Sequence, residues 1–197
     1  REDAAMEAAR RNIAAWETAG EIDAVVTTAS GCGSAIKDYG HLLHGDPAFA
    51  ARAAALAARA MDISEILSGA YAPSRDVTGL VAYHDACSLQ HGQKLRAAPR
   101  DLLAAAGFTV RTPAQAHLCC GSAGAYNILQ PAIAETLGRN KATALAKTGA
   151  LLICAGNIGC LVQIARFSEQ PVLHTVELLD WAAGGPEPPG LASGLTG

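Results

Sequence analysis

In the second half of the chain, short apolar runs alternate with helical stretches, and cysteines follow three of those runs. Residues 80–83 lead into His84-Asp85-Ala86-Cys87, residues 108–111 lead toward Cys119-Cys120-Gly121, and residues 150–153 lead into Cys154, with Cys160 beyond. Strands that alternate with helices make right-handed crossovers and a mostly parallel sheet covered on both faces. Sites in such sheets form outside the carboxyl ends of the strands. Thirty-one residues separate Cys87 from Cys119, and thirty-three separate Cys120 from Cys154, so separation in sequence is expected to become convergence in space. The fold class this predicts is α/β with mostly parallel sheets flanked by helices.

The chain has 197 residues, half of them apolar, which suffices for one large domain or two small ones with a real core. Fifteen basic and 18 acidic residues are mixed along it, so neither a basic face for nucleic acid nor a charged tail stands out. No stretch is long and apolar enough to span a membrane. The chain opens Arg1-Glu2-Asp3, without a signal peptide and already in helical register, and reads as a piece of a longer protein. Six cysteines in a chain of this length do not make a disulfide scaffold, and vicinal Cys119 and Cys120 are poor partners for each other. A reduced, cytoplasmic, metal-loaded protein is the expectation.

Before the cysteine-rich half, the pattern predicts a helix over 3–18 and a short strand over 24–28. A loop over 29–33, holding Cys32, is expected to open the next helix. Asp46-Pro47 reads as a cap and first helical position for an alanine-rich helix to residue 60. Asp62-Ile63-Ser64-Glu65 resembles a capping box. Residues 71–79 read as a linker, and 184–197, rich in Gly and Pro, as a disordered tail. Between them lie predicted helices over 99–106 and 131–147, a strand over 172–174, and a last helix to 182 capped by Thr175. An internal repeat is also present: Asp23 through Gly31-Cys32 resembles Ala150 through Gly159-Cys160, and Asp62–Leu67 resembles His174–Leu179. On this reading residues 1–70 are the back part of one module and 80–183 a complete second copy.

Cys-Cys-Gly is an uncommon tripeptide. Gly121 and Gly124 let the backbone approach a bulky inorganic core and offer N–H groups to it. Adjacent cysteines in a loop can straddle two metal atoms. Cys87, Cys119, Cys120, Cys154 and Cys160 therefore contain the candidate ligands of a soft metal or an iron–sulfur cluster. The competing reading is that they are small buried hydrophobes. Structural zinc is the nearest metal rival, but its usual Cys-x2-Cys knuckles are absent. His84 and His117 lie closest to the cysteines and are candidate ligands or donors to sulfur. His41, His44 and His91 read as solvated, and His174 as the end of the last strand. Tyr126 and Asn127 open the helix after the paired cysteines, and Arg96 and Arg111 read as surface residues.

The run Tyr83-His84-Asp85-Ala86-Cys87, the motif Cys119-Cys120-Gly121-Ser122-Ala123-Gly124 and the segment Asn157-Ile158-Gly159-Cys160 together resemble the cysteine-rich CCG domain. That domain occurs in heterodisulfide reductase and in iron–sulfur subunits of glycolate- and lactate-oxidising complexes. Arg11–Trp16, Ser30-Gly31-Cys32-Gly33 and Lys37-Asp38-Tyr39-Gly40 bring the chain nearest to the glycolate branch. The resemblance covers the chain to about residue 183. It implies tandem CCG modules, the first incomplete here, behind an N-terminal ferredoxin-like module that this chain lacks. It implies a cluster, of [4Fe–4S] type, held by Cys87, Cys119, Cys120 and Cys160. The family pattern ends in Cys-x2-Cys, whereas here Asn157 stands at the first of those positions. Cys154, three residues earlier, either compensates as a ligand or is the last buried residue of its strand. Cys32 would be the ligand of the incomplete module.

By the same resemblance the chain relays electrons from flavin (FAD)-bearing subunits, which oxidise glycolate to glyoxylate, to a quinone or another acceptor. It would not itself act on glycolate. It would be cytoplasmic, with peripheral association to the inner face of the cytoplasmic membrane through the complex. Three alternatives stay open: disulfide reduction at the cluster, the equivalent subunit for lactate or another 2-hydroxy acid, and a structural zinc domain that mediates assembly.

Overall fold

The computed structural model describes residues 2–191 and Leu195. The chain divides into two compact units between Ile63 and Ser64.

In the first unit, α1 (Glu2–Glu17) buries Ala9 and Ile13 on one face. They join Val25, Ile36, Tyr39, Leu43, Ala53, Leu56 and Ala60 in the unit's core. Strand β1 (Val25–Thr27) is followed by α2 (Ser30–Lys37), α3 (Tyr39–Leu42) and α4 (Ala50–Ala57) before β2 (Ala60–Asp62). The two strands are parallel, with Val25 opposite Ala60 and Thr27 opposite Asp62. Cys32 is the third residue of α2, so the expected loop over 29–33 is already the helix's first turn. Asp46 caps the turn before α4 and not α4 itself, whose flanking residue is Phe49: its Oδ1 accepts from the N–H groups of Ala48 and Phe49, at 2.9 and 3.2 Å, and Pro47 lies in that turn instead of the helix. The helix that follows is shorter than the alanine run suggests. Ala60 leaves it for the sheet, where pairing with Val25 outweighs helix propensity.

The division falls within α5 (Ile63–Leu67). Residues 71–79, expected as a linker, are fastened inside the second unit. The N–H groups of Ser74 and Arg75 both donate to the Ala182 carbonyl, and Tyr71 Oη donates to that of Leu179.

The second unit runs β3 (Leu80–Tyr83), a π-helical turn (Ser88–Gly92), α6 (Ala98–Ala105), β4 (Thr109–Arg111), α7 (Tyr126–Leu129), α8 (Pro131–Ala146), β5 (Leu152–Ala155), α9 (Ile158–Ala165), β6 (Val172–His174) and α10 (Thr175–Ala182). Its four strands lie in the order β4-β3-β5-β6, all parallel. Side chains alternate along each strand, so the sheet feeds two cores. Val81, Tyr83, Leu152, Cys154 and Leu173 pack with Leu102 and Leu103 of α6 and Leu178, Leu179 and Trp181 of α10. Ala82 and Ile153 pack on the other face with Leu145 of α8 and Cys160 and Ile164 of α9. This is the expected parallel sheet with helices on both faces.

The chain leaves β3 toward one edge to make β4 and returns past β3 to make β5. Adjacent β3 and β5 therefore form the topological switch point, where a crevice opens at their carboxyl ends.

The repeat read from sequence extends to strand register. Ile153 pairs with Val172 and Ala155 with His174, as Val25 pairs with Ala60 and Thr27 with Asp62. Cys160 is the third residue of α9, as Cys32 is of α2. The last helix is capped one residue earlier than expected. His174 Nδ1 accepts from the Val176 N–H at 3.1 Å, and the Glu177 carboxylate accepts from the His174 N–H at 2.7 Å, closing a capping box. In the segment expected as a disordered tail, Pro188 is buried and Leu195 joins the core beneath α6 and α10, with Leu191 against it. The expectation for residues 192–194, 196 and 197 lies outside the described residues.

Asp46 is held below the usual carboxylate range by the hydrogen bond from Arg10 Nε, at 2.7 Å, helped by the two backbone donors it caps. A lowered folded pKa stabilises the fold at pH values above the unfolded value, near 3.8, and that contribution is lost as pH falls through the folded value. Asp46→Asn keeps a capping oxygen and removes the charge. It is expected to lower the urea midpoint at pH 7 and to leave it close to that of the parent below pH 3. An equal loss at both values would show that the charge is not the stabilising element.

Candidate metal centre

Three loops deliver side chains to the switch point. The first follows β3. The His84 N–H donates to the Cys154 carbonyl at 2.8 Å, extending the β3–β5 ladder by one residue and fixing where the imidazole starts. Asp85 comes next, and both its oxygens accept from Arg100 Nη1 at 3.0 Å. Burial pushes the Asp85 carboxyl up, and Arg100 opposes that. Cys87 then opens the π-helical turn as its first flanking residue.

The second loop follows β4 and carries Cys119-Cys120-Gly121. Gly121 has φ +89°, and a Cβ there would lie 2.5 Å from the Ala134 carbonyl oxygen of α8. Only glycine allows the loop to turn back this tightly against the helix. The Gly121 N–H donates to Cys119 Sγ at 3.3 Å. The loop is also held from α8, where buried Lys141 donates to the carbonyls of Gln115 and Ala116, each at 3.2 Å.

The third loop follows β5. Asn157, in extended conformation, precedes α9 and donates from Nδ2 to Cys160 Sγ at 3.3 Å. Gly159 lets α9 approach the second loop: a Cβ there would lie 2.7 Å from Ser122 Oγ.

The result is a continuous line of sulfur contacts. Cys87 touches Cys119, Cys119 touches Cys120, and Cys120 touches Cys160. Cys120, Cys160 and His84 are buried, and one ligand atom from each lies within 4.8 Å of the others. Cys119 is half-buried and Cys87 exposed, so the line runs from the interior to solvent. Neither nitrogen of His84 has a hydrogen-bond partner among the described residues.

These thiols oppose one another's ionisation. Burial, followed by the nearby charge of Cys119, pushes Cys87 up. The contact with Cys120, followed by burial, pushes Cys119 up further. For Cys120 the contact with Cys119 lowers the value, but Cys160 and burial outweigh it and push the thiol up to about 12. Cys160 alone is pulled below its ordinary value, by its contact with Cys120 and, against burial, by Asn157. Burial, reinforced by the Lys141 charge, brings His84 down to about 4, so its imidazole is neutral at pH 7. Burial lowers Lys141, while the thiolates would favour its charge. Several thiols that resist ionisation together, beside a neutral imidazole, suit a cation that neutralises them. The donor set fits a soft metal or an iron–sulfur cluster.

Cys87, Cys119, Cys120 and Cys160 are thus brought together as the sequence predicts. Cys154 is not. It is fully buried on the opposite face of the sheet, among Tyr83, Leu173 and Leu178, because side chains alternate along β5. That is the packing of a buried strand residue. Cys32 lies exposed on α2 of the first unit. His117 is exposed on the second loop, as His41, His44 and His91 are elsewhere; Arg96 and Arg111 are exposed too. His174 serves as a helix cap. Tyr126 and Asn127 open α7, where the Asn127 N–H donates to the Ser122 carbonyl at 3.4 Å. Sequence reasoning missed Lys141 and the Asp85–Arg100 pair. Lys141 did leave a signal, since it falls at core spacing with Ala134, Gly138, Ala142 and Leu145 on α8.

A parallel α/β sheet with thiols gathered at its switch point defines a metal- or cluster-binding module. The cysteine-rich domain (CCG) family model matches residues 1–37 and 81–165, and the chain belongs to that family. It is 37% identical over 178 residues to the glycolate oxidase iron-sulfur subunit of Escherichia coli K12, covering 88% of this chain and 44% of the relative. It is 36% identical over 190 residues to a probable glycolate oxidase iron-sulfur subunit of Bacillus subtilis 168, covering 90% and 43%. A lactate utilization protein A of Bacillus pumilus is 29% identical over 184 residues, covering 89% and 76%. The chain therefore spans less than half the length of the two glycolate oxidase relatives.

Gly121→Ala is expected to displace the Cys119-Cys120 loop from α8, since the new methyl would meet backbone and not a flexible side chain. Strain at such a position is of the order of 1–3 kcal/mol. Metal bound per chain should fall well below the parent's while far-UV circular dichroism is retained. Full metal content in Gly121→Ala would show that the turn is not needed to place the thiols.

Proposed function

We propose that this chain is part of the iron–sulfur subunit of a glycolate-oxidising complex. Its second unit holds an iron–sulfur cluster through Cys87, Cys119, Cys120 and Cys160. The unbroken line of four thiols at the switch point carries this reading. Likeness to iron–sulfur subunits of glycolate oxidase supports the setting. The cluster is of [4Fe–4S] type, and when bound it supplies reversible one-electron chemistry.

The chain's own residues hold and enclose the group. Cys120, Cys160 and His84 lie in a water-poor pocket, while exposed Cys87 keeps one side near the surface, where another carrier can approach. That arrangement suits relay. Flavin (FAD)-binding subunits oxidise glycolate to glyoxylate, and this subunit passes the electrons on to a quinone or another acceptor without acting on glycolate itself. Exposed Ile128 and Leu129 on α7 and Ile158 and Val162 on α9, the helices that open beside the thiols, support seating against those subunits.

The two units correspond to tandem CCG modules behind a ferredoxin-like module. Cys32 is the first module's counterpart of Cys160, in keeping with its matching place on α2. None of the described helices is long and apolar enough to cross a membrane. We place the protein in the cytoplasm, attached through its complex to the inner face of the membrane. Likeness to a lactate utilization protein over a larger share of that relative supports a second reading, in which the substrate is another 2-hydroxy acid.

The test is iron, zinc and acid-labile sulfide content of anaerobically purified full-length protein beside its Cys119→Ser and Cys120→Ser variants. Each variant is expected to lose the iron and sulfide of one cluster, together with the matching visible absorption. Unchanged iron and sulfide in both variants would remove the ligand assignment. Zinc without sulfide in the parent would replace the redox role with a structural one.

A further inference from the structure

We infer that His84 ligates the cluster through a ring nitrogen, so that a mixed thiolate and imidazole set holds this centre. The inference rests on the proposed function above and adds a ligand to it.

His84 is 1% exposed, and both its ring nitrogens lack a hydrogen-bond partner among the described residues. A buried imidazole left that way bears the desolvation cost of each unsatisfied group, and a bound ion is one of the few things that removes it. Its ligand nitrogen lies within 4.8 Å of the sulfurs of Cys120 and Cys160. Atoms that share a metal at about 2.0–2.3 Å stand no more than about 4.6 Å apart. The observed group is therefore within a small side-chain adjustment of a shared ion, and closer still to what neighbouring irons of one cluster need.

Other partners for the ring are accounted for. The carboxylate of Asp85 is engaged by Arg100. Lys141 donates to two carbonyls and not to the ring. The third loop offers no substitute ligand: Asn157 turns its amide N–H toward Cys160 Sγ, and Cys154 packs on the far face of the sheet. His84 is also the only one of the six histidines with a buried ring. Its backbone is pinned by the bond to the Cys154 carbonyl, which fixes the start of the imidazole without using its ring atoms. A neutral nitrogen at this position carries one negative charge fewer than a thiolate there would, and so gives the higher reduction potential.

The experiment is pulsed EPR on anaerobically purified full-length protein, in its complex, with and without 15N-histidine, beside a His84→Cys variant. The expected result is a strong histidine-nitrogen coupling that changes with the isotope and is lost in His84→Cys, whose centre is reduced at a lower potential. A cluster with no histidine-nitrogen coupling would overturn the inference and leave the proposed function standing. So would a coupling that persists in His84→Cys. Protein without iron and sulfide would remove both. If His84→Cys does not accumulate, the isotope comparison on the parent protein still decides.

Discussion

The pairing of β3 with β5 is the constraint on which the rest depends. Tyr83 stands opposite Cys154, and the ladder ends one residue later with the His84 N–H on the Cys154 carbonyl. Because both strands stop together at the switch point, their following loops must diverge around a shared crevice. One loop brings His84 and Cys87, the other Asn157 and Cys160. The Cys119-Cys120 loop closes the third side, pinned by Gly121 against Ala134 and by Lys141 through two carbonyls. A one-residue slip of β5 would exchange Ile153 and Cys154 between the two cores and turn the site's supporting face over.

Packing thiols this closely works against the metal-free protein. Contact and burial raise Cys87, Cys119 and Cys120, while only Cys160, aided by Cys120 and the Asn157 amide, is drawn toward the thiolate. The orphaned nitrogens of His84 add a second unfavourable feature. Both are relieved by a cation. The scaffold supplies the stability that offsets them elsewhere, in the dense core beneath α6 and α10, where Leu103, Leu152 and Leu178 are fully enclosed.

Much of this was legible in the chain. Apolar runs separated by helical stretches gave the parallel sheet, and cysteines placed just after those runs gave the site, because strand ends converge in such sheets. The repeat was readable as text, although its strand register was not. The misses have local causes. Cys154 was ambiguous because a strand's last residue faces either way until its partner register is known. Residues 71–79 and 184–197 were read as loose from Pro and Gly content, while Tyr71 and Val77 in the first and Leu191 and Leu195 in the second lie in or against the core. His84 stood out only by proximity in sequence. Its burial with empty ring nitrogens depends on packing from α8 and α9, which no local pattern carries.

The three loops that meet at the site come from segments far apart in the chain, with 31 residues between Cys87 and Cys119 and 39 between Cys120 and Cys160. A group bound across them acts as a cross-link, closing two long loops at one end of the sheet and contributing its binding energy to folding. The opposite face of the sheet has its own core and does not share that dependence. Losing the group therefore frees one end of one layer while the rest stays folded. Damage by oxidants, entering where Cys87 meets solvent, would register as local loosening around Cys119 and Cys120 before any global unfolding.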